Sequence, residues 1–336
     1  MKPRIAPAAA LLILLTACAP AGTSEGSPGG SLPATAAESV RPTEQLPFDA
    51  AVYVGEALDH IEELALFVPD LDWSGVRAET LDRTSGATTP EETHDALAEA
   101  LERAGGRHST LRGPVSAAGF SYIAAPEAGI AAPGIAVVDV PGFRSPRPEH
   151  VEEYARRGNE QILAAAPDAS CGWIVDLRKN YGGNMWPMLG ALSPLLPDGE
   201  IMQFIDRDGR TEWAVLHPDG VYLDGEFRAP AAAAKKTGKP VALLQSEVTS
   251  SSVEAVLLSF ADKPGVRSFG APTAGLATGN VVRTLTDGTG LRITSSYMAT
   301  ALGQSAGGGP LQPDVRTEDP LAEATEWLRS QCRTPR

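Results

Sequence analysis

Three separated stretches of this chain could together perform acyl-transfer chemistry. The run Thr249-Ser250-Ser251-Ser252-Val253-Glu254 lies between an apolar strand expected at 241–244 and an apolar helix expected at 253–261. A hydroxyl on a sharp strand-to-helix turn is how a serine nucleophile is presented, and a helix N-terminus favours negative charge there. The same residue types also make an ordinary helix N-cap, so the run alone leaves both readings open. A serine needs a base, and the chain has five histidines. His60 and His94 lie in helical stretches, His150 is near a helix start, and His217 precedes a Pro-Asp-Gly turn. His108 differs, because it follows Gly105-Gly106-Arg107 just past a helix end, where an imidazole can face a cleft. An oxyanion also needs unobstructed backbone N–H donors, which Gly182-Gly183 at a strand exit could supply.

The surrounding pattern says what positions these groups. Apolar periodicity predicts a helix over 51–67 and another that opens at the capping box Thr89-Pro90-Glu91-Glu92 and stops at Gly105-Gly106. From 134 onward, strands at 135–140 and 172–177 alternate with helices at 148–166 and 186–195, which indicates an α/β layered core. Residues 201–225 alternate apolar and polar around Asp208-Gly209 and Asp219-Gly220, as antiparallel hairpins do, and could form a small β-rich cap around 201–235. Further strands are expected near 266–269, 281–285 and 291–295, with a last helix over 321–330. The division is therefore an N-terminal helical subdomain at 47–113 and a core at 114–330.

The N-terminus reads as a secretory signal: basic Met1-Lys2-Pro3-Arg4, an apolar run at 8–15, then Leu15-Thr16-Ala17-Cys18. Those last four residues resemble the lipobox of bacterial lipoproteins, so residues 1–17 are expected to be removed and Cys18 lipidated. Residues 18–46, rich in Ala, Gly, Ser, Pro and Thr, read as a tether from a membrane, and the protein is expected to be extracytoplasmic. Cys171 and Cys332 then remain as an even pair in an oxidising compartment, where a disulfide would tie the last helix to the 172–177 strand. A formal charge of −14 argues against a nucleic-acid partner and would steer a cationic peptide towards the chain. The sequence carries no HExxH zinc site, Walker loop, Rossmann fingerprint or Gly-x-Ser-x-Gly elbow, and no metal or cofactor is expected.

Four segments in order resemble the S41 serine peptidases, the tail-specific and tricorn-core proteases. Asp176-Leu177-Arg178 to Gly182-Gly183 looks like their Asp-Leu-Arg-x-Asn-x-Gly-Gly signature, and Thr249 to Glu254 like their nucleophile motif. Phe269 to Gly275 and Gln312-Pro313-Asp314-Val315 match two further landmarks, and His108-Ser109 resembles the segment carrying the base in members without a catalytic lysine. The resemblance implies a layered ββα peptidase core of crotonase/ClpP-like type, with Ser251 as nucleophile and His108 as base. Ser252 and Gly182 or Gly183 would donate N–H groups to the oxyanion.

Departures from the family pattern refine this. Leu276 stands where lysine-dyad members have lysine, so a Ser–Lys mechanism is disfavoured, and the space between Pro114 and Gly134 is too short for a PDZ domain. The stretch Gly303-Gln304-Ser305-Ala306-Gly307-Gly308-Gly309 lacks the glutamate that tricorn-like members place there. The site is then either a Ser–His dyad or one in which another group, Gln304 or Glu254, orients it. The expected function is hydrolysis of peptide bonds near the C-terminus of peptides or unfolded proteins, antimicrobial peptides among them. The alternative, a binding lipoprotein that keeps the fold without catalysis, rests on that missing acid.

Overall fold

The computed structural model describes residues 47–113 and 124–333. The expected signal segment, Cys18 and the tether lie outside the described residues. The ordered chain opens with helices α1 (Ala50–Leu64), α2 (Trp73–Thr84) and α3 (His94–Gly105) and a short strand β1 (Thr110–Arg112). Then come β2 (Glu127–Ala132), β3 (Ile135–Asp139), α4 (Pro148–Ala165), β4 (Gly172–Asp176) and α5 (Met185–Leu192). A meander follows: β5 (Gly199–Asp206), β6 (Thr211–Leu216), β7 (Gly220–Leu223) and β8 (Glu226–Pro230). Next are β9 (Val241–Gln245), α6 (Ser252–Ala261) and β10 (Val266–Gly270). The chain closes with β11 (Thr278–Thr284), β12 (Gly290–Thr300), β13 (Val315–Arg316) and α7 (Pro320–Arg333).

The strands form two sheets. One runs β13-β10-β9-β4-β3-β2, parallel except for the antiparallel edge strand β2. Its central strands are apolar throughout because both faces are covered. Ala136, Val138, Trp173, Val175, Val241 and Leu243 face the main core, with Phe143, Met188, Val256 and Phe260. Ile135, Ile174, Ala242 and Leu244 alternate onto the other face, where α7 covers them with Ala324 and Leu328. The Cys171–Cys332 disulfide ties that helix to the start of β4.

The other sheet is antiparallel, with order β1-β12-β5-β6-β7-β8 and β11 paired to β12. It includes the hairpins expected to form a small β-rich cap over the core. The reason is burial: Ile201, Met202, Phe204, Ala214, Leu216 and Val221 point into the main core, which leaves the meander no core of its own. The three N-terminal helices likewise close their cluster on Leu291 and Ile293 of β12 and on Leu285 just past β11. Two sheets thus face each other, and their loops meet where β4 and β9 end.

Candidate active site

Ser251 occupies the turn between β9 and α6 with φ 60° and ψ −123°. A non-glycine residue there costs about 1–3 kcal/mol and persists only when its surroundings fix it. Glu254 does much of that fixing. Wholly buried, its carboxylate accepts from Ser251 N at 2.6 Å, Leu276 N at 2.8 Å, Thr273 Oγ1 at 2.5 Å and Gly275 N at 3.1 Å. Burial pushes its pKa up, while these four donors pull it back down. The Ser251 turn and the 273–276 loop therefore share one anchor.

The Asp176 to Gly183 loop is bound to the same turn. Thr249 Oγ1 donates to Leu177 O at 3.0 Å, Ser246 Oγ to Arg178 O at 2.6 Å, and Ser252 Oγ to Gly183 O at 2.5 Å. Within the loop Arg178 pairs with Asp176 through two nitrogens at 2.9 and 2.6 Å, and buried Asn180 donates to Val140 O at 2.8 Å. Both glycines have positive φ, 79° and 129°. A Cβ on Gly182 would fall 2.6 Å from Ser250 O and 3.1 Å from Ser252 N, and one on Gly183 would fall 1.9 Å from Phe143 O. Glycine is what allows this approach to the serine turn. Of the three expected oxyanion donors, Gly182 N–H is already engaged by Asn180 Oδ1 at 2.8 Å. The N–H groups of Gly183 and Ser252 have no acceptor among the described residues, and the two residues are joined through Ser252 Oγ and Gly183 O.

His108 reaches the site from the opposite sheet. α3 ends at Gly105, Gly106 turns the chain at φ 71°, and His108 follows two residues before β1. Its Nε2 lies 3.0 Å from Ser251 Oγ, and both side chains are buried. Nδ1 meets Thr278 Oγ1 at 2.7 Å, where a carboxylate would stand in a full triad. Asn280 Nδ2 lies against the ring, 3.3 and 3.4 Å from the two nitrogens. It is turned that way because its Oδ1 accepts from Thr294 Oγ1 at 2.9 Å, which in turn accepts from Ser109 Oγ at 3.0 Å. Arg292 Nη2 is 2.9 Å from Nε2. A guanidinium can only donate, so Nε2 accepts and the ring proton sits on Nδ1, donated to Thr278. Burial first, then the charges of Arg292 and Arg107, lower the His108 pKa from 6.5 to about 4. The imidazole is therefore neutral and able to accept a proton across the ordinary pH range.

Two expectations about orientation change on this geometry. Gln304 is exposed on a turn after β12, its backbone bonded to Thr300, and is not among the partners of His108. Short glycine-rich turns keep its segment at the surface. Glu254 holds the backbone of Ser251 and is not among the partners of His108. The residues around the imidazole, Thr278, Asn280 and Arg292, went unrecognised in the sequence. Alternate polar positions 278 and 280, just after the Thr273-Ala274-Gly275 landmark, were the available signal. Among the described residues no group of three or more His, Cys, Asp or Glu side chains is placed to hold a metal ion.

Comparison with known proteins places this arrangement in a wider set. Residues 134–317 match the model of peptidase family S41. The nisin-resistance protein of Lactococcus lactis subsp. lactis is 30% identical over 283 residues, 84% of this chain and 87% of that one. A lipoprotein from Streptococcus agalactiae superposes with a TM-score of 0.75 at 26% identity, covering 85% of this chain and 98% of that chain. The photosystem II D1 C-terminal processing protease shares the fold at 14% identity, with a TM-score of 0.58 over 80% of this chain and 93% of that chain.

Proposed function

The chain belongs to peptidase family S41, and from that premise we propose that it is a serine peptidase working through Ser251 and His108. The observation that carries the reading is the 3.0 Å approach of Ser251 Oγ to His108 Nε2, made by two turn residues that adjoin strands of different sheets. In the forward step Nε2 takes the Ser251 proton as Oγ attacks a peptide carbonyl. The carbonyl oxygen, now an oxyanion, is held by Ser252 and Gly183 N–H. The protonated imidazole then gives its proton to the leaving nitrogen, and water resolves the acyl-enzyme by the same route. Thr278 holds the ring in the tautomer that the first step needs. A neutral oxygen stabilises the imidazolium less than a carboxylate would, which lowers the rate without removing it.

The substrate we propose is a cationic peptide with an extended C-terminal part. The acidic chain favours its approach, and the relative from Lactococcus lactis is named for resistance to nisin. An envelope location fits the expected lipobox at Cys18 and the lipoprotein relative from Streptococcus agalactiae. No helix among the described residues is long and apolar enough to cross a membrane, so on this reading anchoring falls to the lipid. Digestion of nisin and of unstructured neutral peptides, read by mass spectrometry, tests the proposal. Nisin fragments that vanish with Ser251→Ala are expected. Efficient cleavage of the neutral peptides with nisin left intact would remove the substrate assignment.

A further inference from the structure

The site contains a cation that serine peptidase chemistry does not call for. Arg292 Nη2 donates to the same Nε2 lone pair that must accept the Ser251 proton. Its charge also opposes the imidazolium that catalysis creates. Although half-buried, Arg292 forms no ion pair among the described residues. A guanidinium removed from water without a counter-charge is costly, so an anion that arrives with a ligand is its natural partner.

The neighbours strengthen the point. β1 and β12 pair so that Thr110 faces Arg292 and Arg112 faces Gly290. Arg112, two residues beyond Thr110, therefore projects from the same sheet face as Arg292, at a diagonal position. Arg144 flanks the other side of the cleft. A Cβ on Gly183 would lie 3.0 Å from Arg144 Cγ, and the Arg144 guanidinium donates to Tyr181 O at 3.4 Å. Both arginines are exposed, neither pairs with a carboxylate among the described residues, and both disfavour the charge on Arg292. Arg107, by contrast, is committed to the carbonyls of Ala274 and Gly275. An overall acidic protein thus surrounds its dyad with arginines.

Position identifies the part of the substrate concerned. Nε2 must hand its proton to the leaving nitrogen, so a group bonded to Nε2 lies on the side of the leaving fragment. The planar fork of a guanidinium matches a carboxylate. Resting on the peptidase reading above, we propose that Arg292, with Arg112 beside it, receives a carboxylate of the C-terminal leaving fragment. This engagement draws the guanidinium from His108 and releases the lone pair to Ser251. The substrate thereby supplies the negative charge that the described residues do not place beside Arg292, and a peptide without it meets an occupied base. A chain terminus one or two residues beyond the cut, or an acidic side chain in that stretch, offers the same chemistry.

Three otherwise identical peptides separate these sources: one ending in a free carboxylate, one C-terminally amidated, and one amidated but carrying Asp next to the cut. With the full-length protein, kcat/KM for the free acid should exceed that for the plain amide by about ten- to a hundred-fold. Recovery by the Asp peptide would assign the carboxylate to a side chain, and no recovery would assign it to the terminus. Arg292→Gln should flatten the ranking and Arg292→Lys should restore part of it, with circular dichroism reporting that each variant folds. Equal cleavage of all three peptides by the unmutated protein overturns the inference, whatever the variants do. So does a ranking that survives Arg292→Gln. Labelling of Ser251 by a fluorophosphonate distinguishes the outcomes. Labelling without a carboxylate preference removes this inference alone, whereas neither labelling nor cleavage removes the peptidase reading with it.

Discussion

The Ser251 half and the His108 half of this site, proposed as nucleophile and base, are built by different means. Ser251 and the Gly182–Gly183 loop are joined by backbone and buried polar bonds, with the Gly183 and Ser252 N–H groups left without an acceptor among the described residues. Around His108 the contacts are side chain to side chain: Thr278, Asn280 and Arg292, the last with a charge that no carboxylate among the described residues balances. One half is held by the fold itself. The other is held by side-chain hydrogen bonds, which on the inference above are redistributed when a ligand arrives. A strained serine requires the first kind of construction, and a base that must change protonation state is served by the second.

The contrast is most exposed to Glu254→Gln. Exchanging one carboxylate oxygen for an NH2 sets a donor against donors in a fully buried site, which should cost about 2–4 kcal/mol of stability and most of the activity. Asn280→Ala, in the adaptable half, should reduce activity while lowering stability by no more than about 1 kcal/mol. Thermal unfolding and peptide kinetics on the two variants make the comparison. Equal losses of stability would erase the distinction between the halves.

Acid titration tests the base half next. The folded His108 pKa of about 4 lies below the unfolded value of 6.5. The unfolded chain therefore binds the extra proton first as pH falls. The stability contribution is fully present above 6.5 and is lost progressively towards 4, by about 3 kcal/mol in total. It is read as the difference between the protein and its His108→Gln variant. That difference cancels other groups, including Glu254, which burial shifts in the opposite sense. The acid limb of kcat/KM should likewise fall near pH 4 in the free enzyme. For peptides with a free carboxylate, the limb of kcat should lie higher, because the bound anion offsets Arg292. Coincident limbs near 6.5 would contradict the environment described for His108. The smallest effect is expected for Thr278→Val, which removes the Nδ1 partner and should lower kcat about tenfold with little change in KM.

How much of this was legible in the sequence follows the same division. The nucleophile half occupies two short continuous segments, 176–183 and 249–254, since each is one strand exit and its turn. Composition and spacing within such a segment carry the information. The base half joins residues as far apart as 108 and 292, brought together by sheet register. A bulge between Gly279 and Asn280 shifts that register. The strand expected from 281 in fact begins at Thr278, so Thr278 and Asn280 read as loop. Helix α2 was missed for a related reason. Two of its buried positions are Thr80 and Thr84, whose hydroxyls bond back to the Val76 and Thr80 carbonyls at 2.8 Å, so no apolar stripe marks it. Edge strand β2, mostly exposed and interrupted by Gly129, offered no alternation either. The α/β core alternated visibly because its strands are covered on both faces.

The central claim is that Ser251 is a nucleophile activated by His108, and covalent labelling addresses it with least ambiguity. Treatment with a fluorophosphonate, followed by intact-mass and peptide-level mass spectrometry, should give a single adduct on Ser251. The adduct should be absent in Ser251→Ala and strongly suppressed in His108→Ala. An unlabelled protein, or labelling of Ser251 that proceeds equally well without His108, would contradict the account.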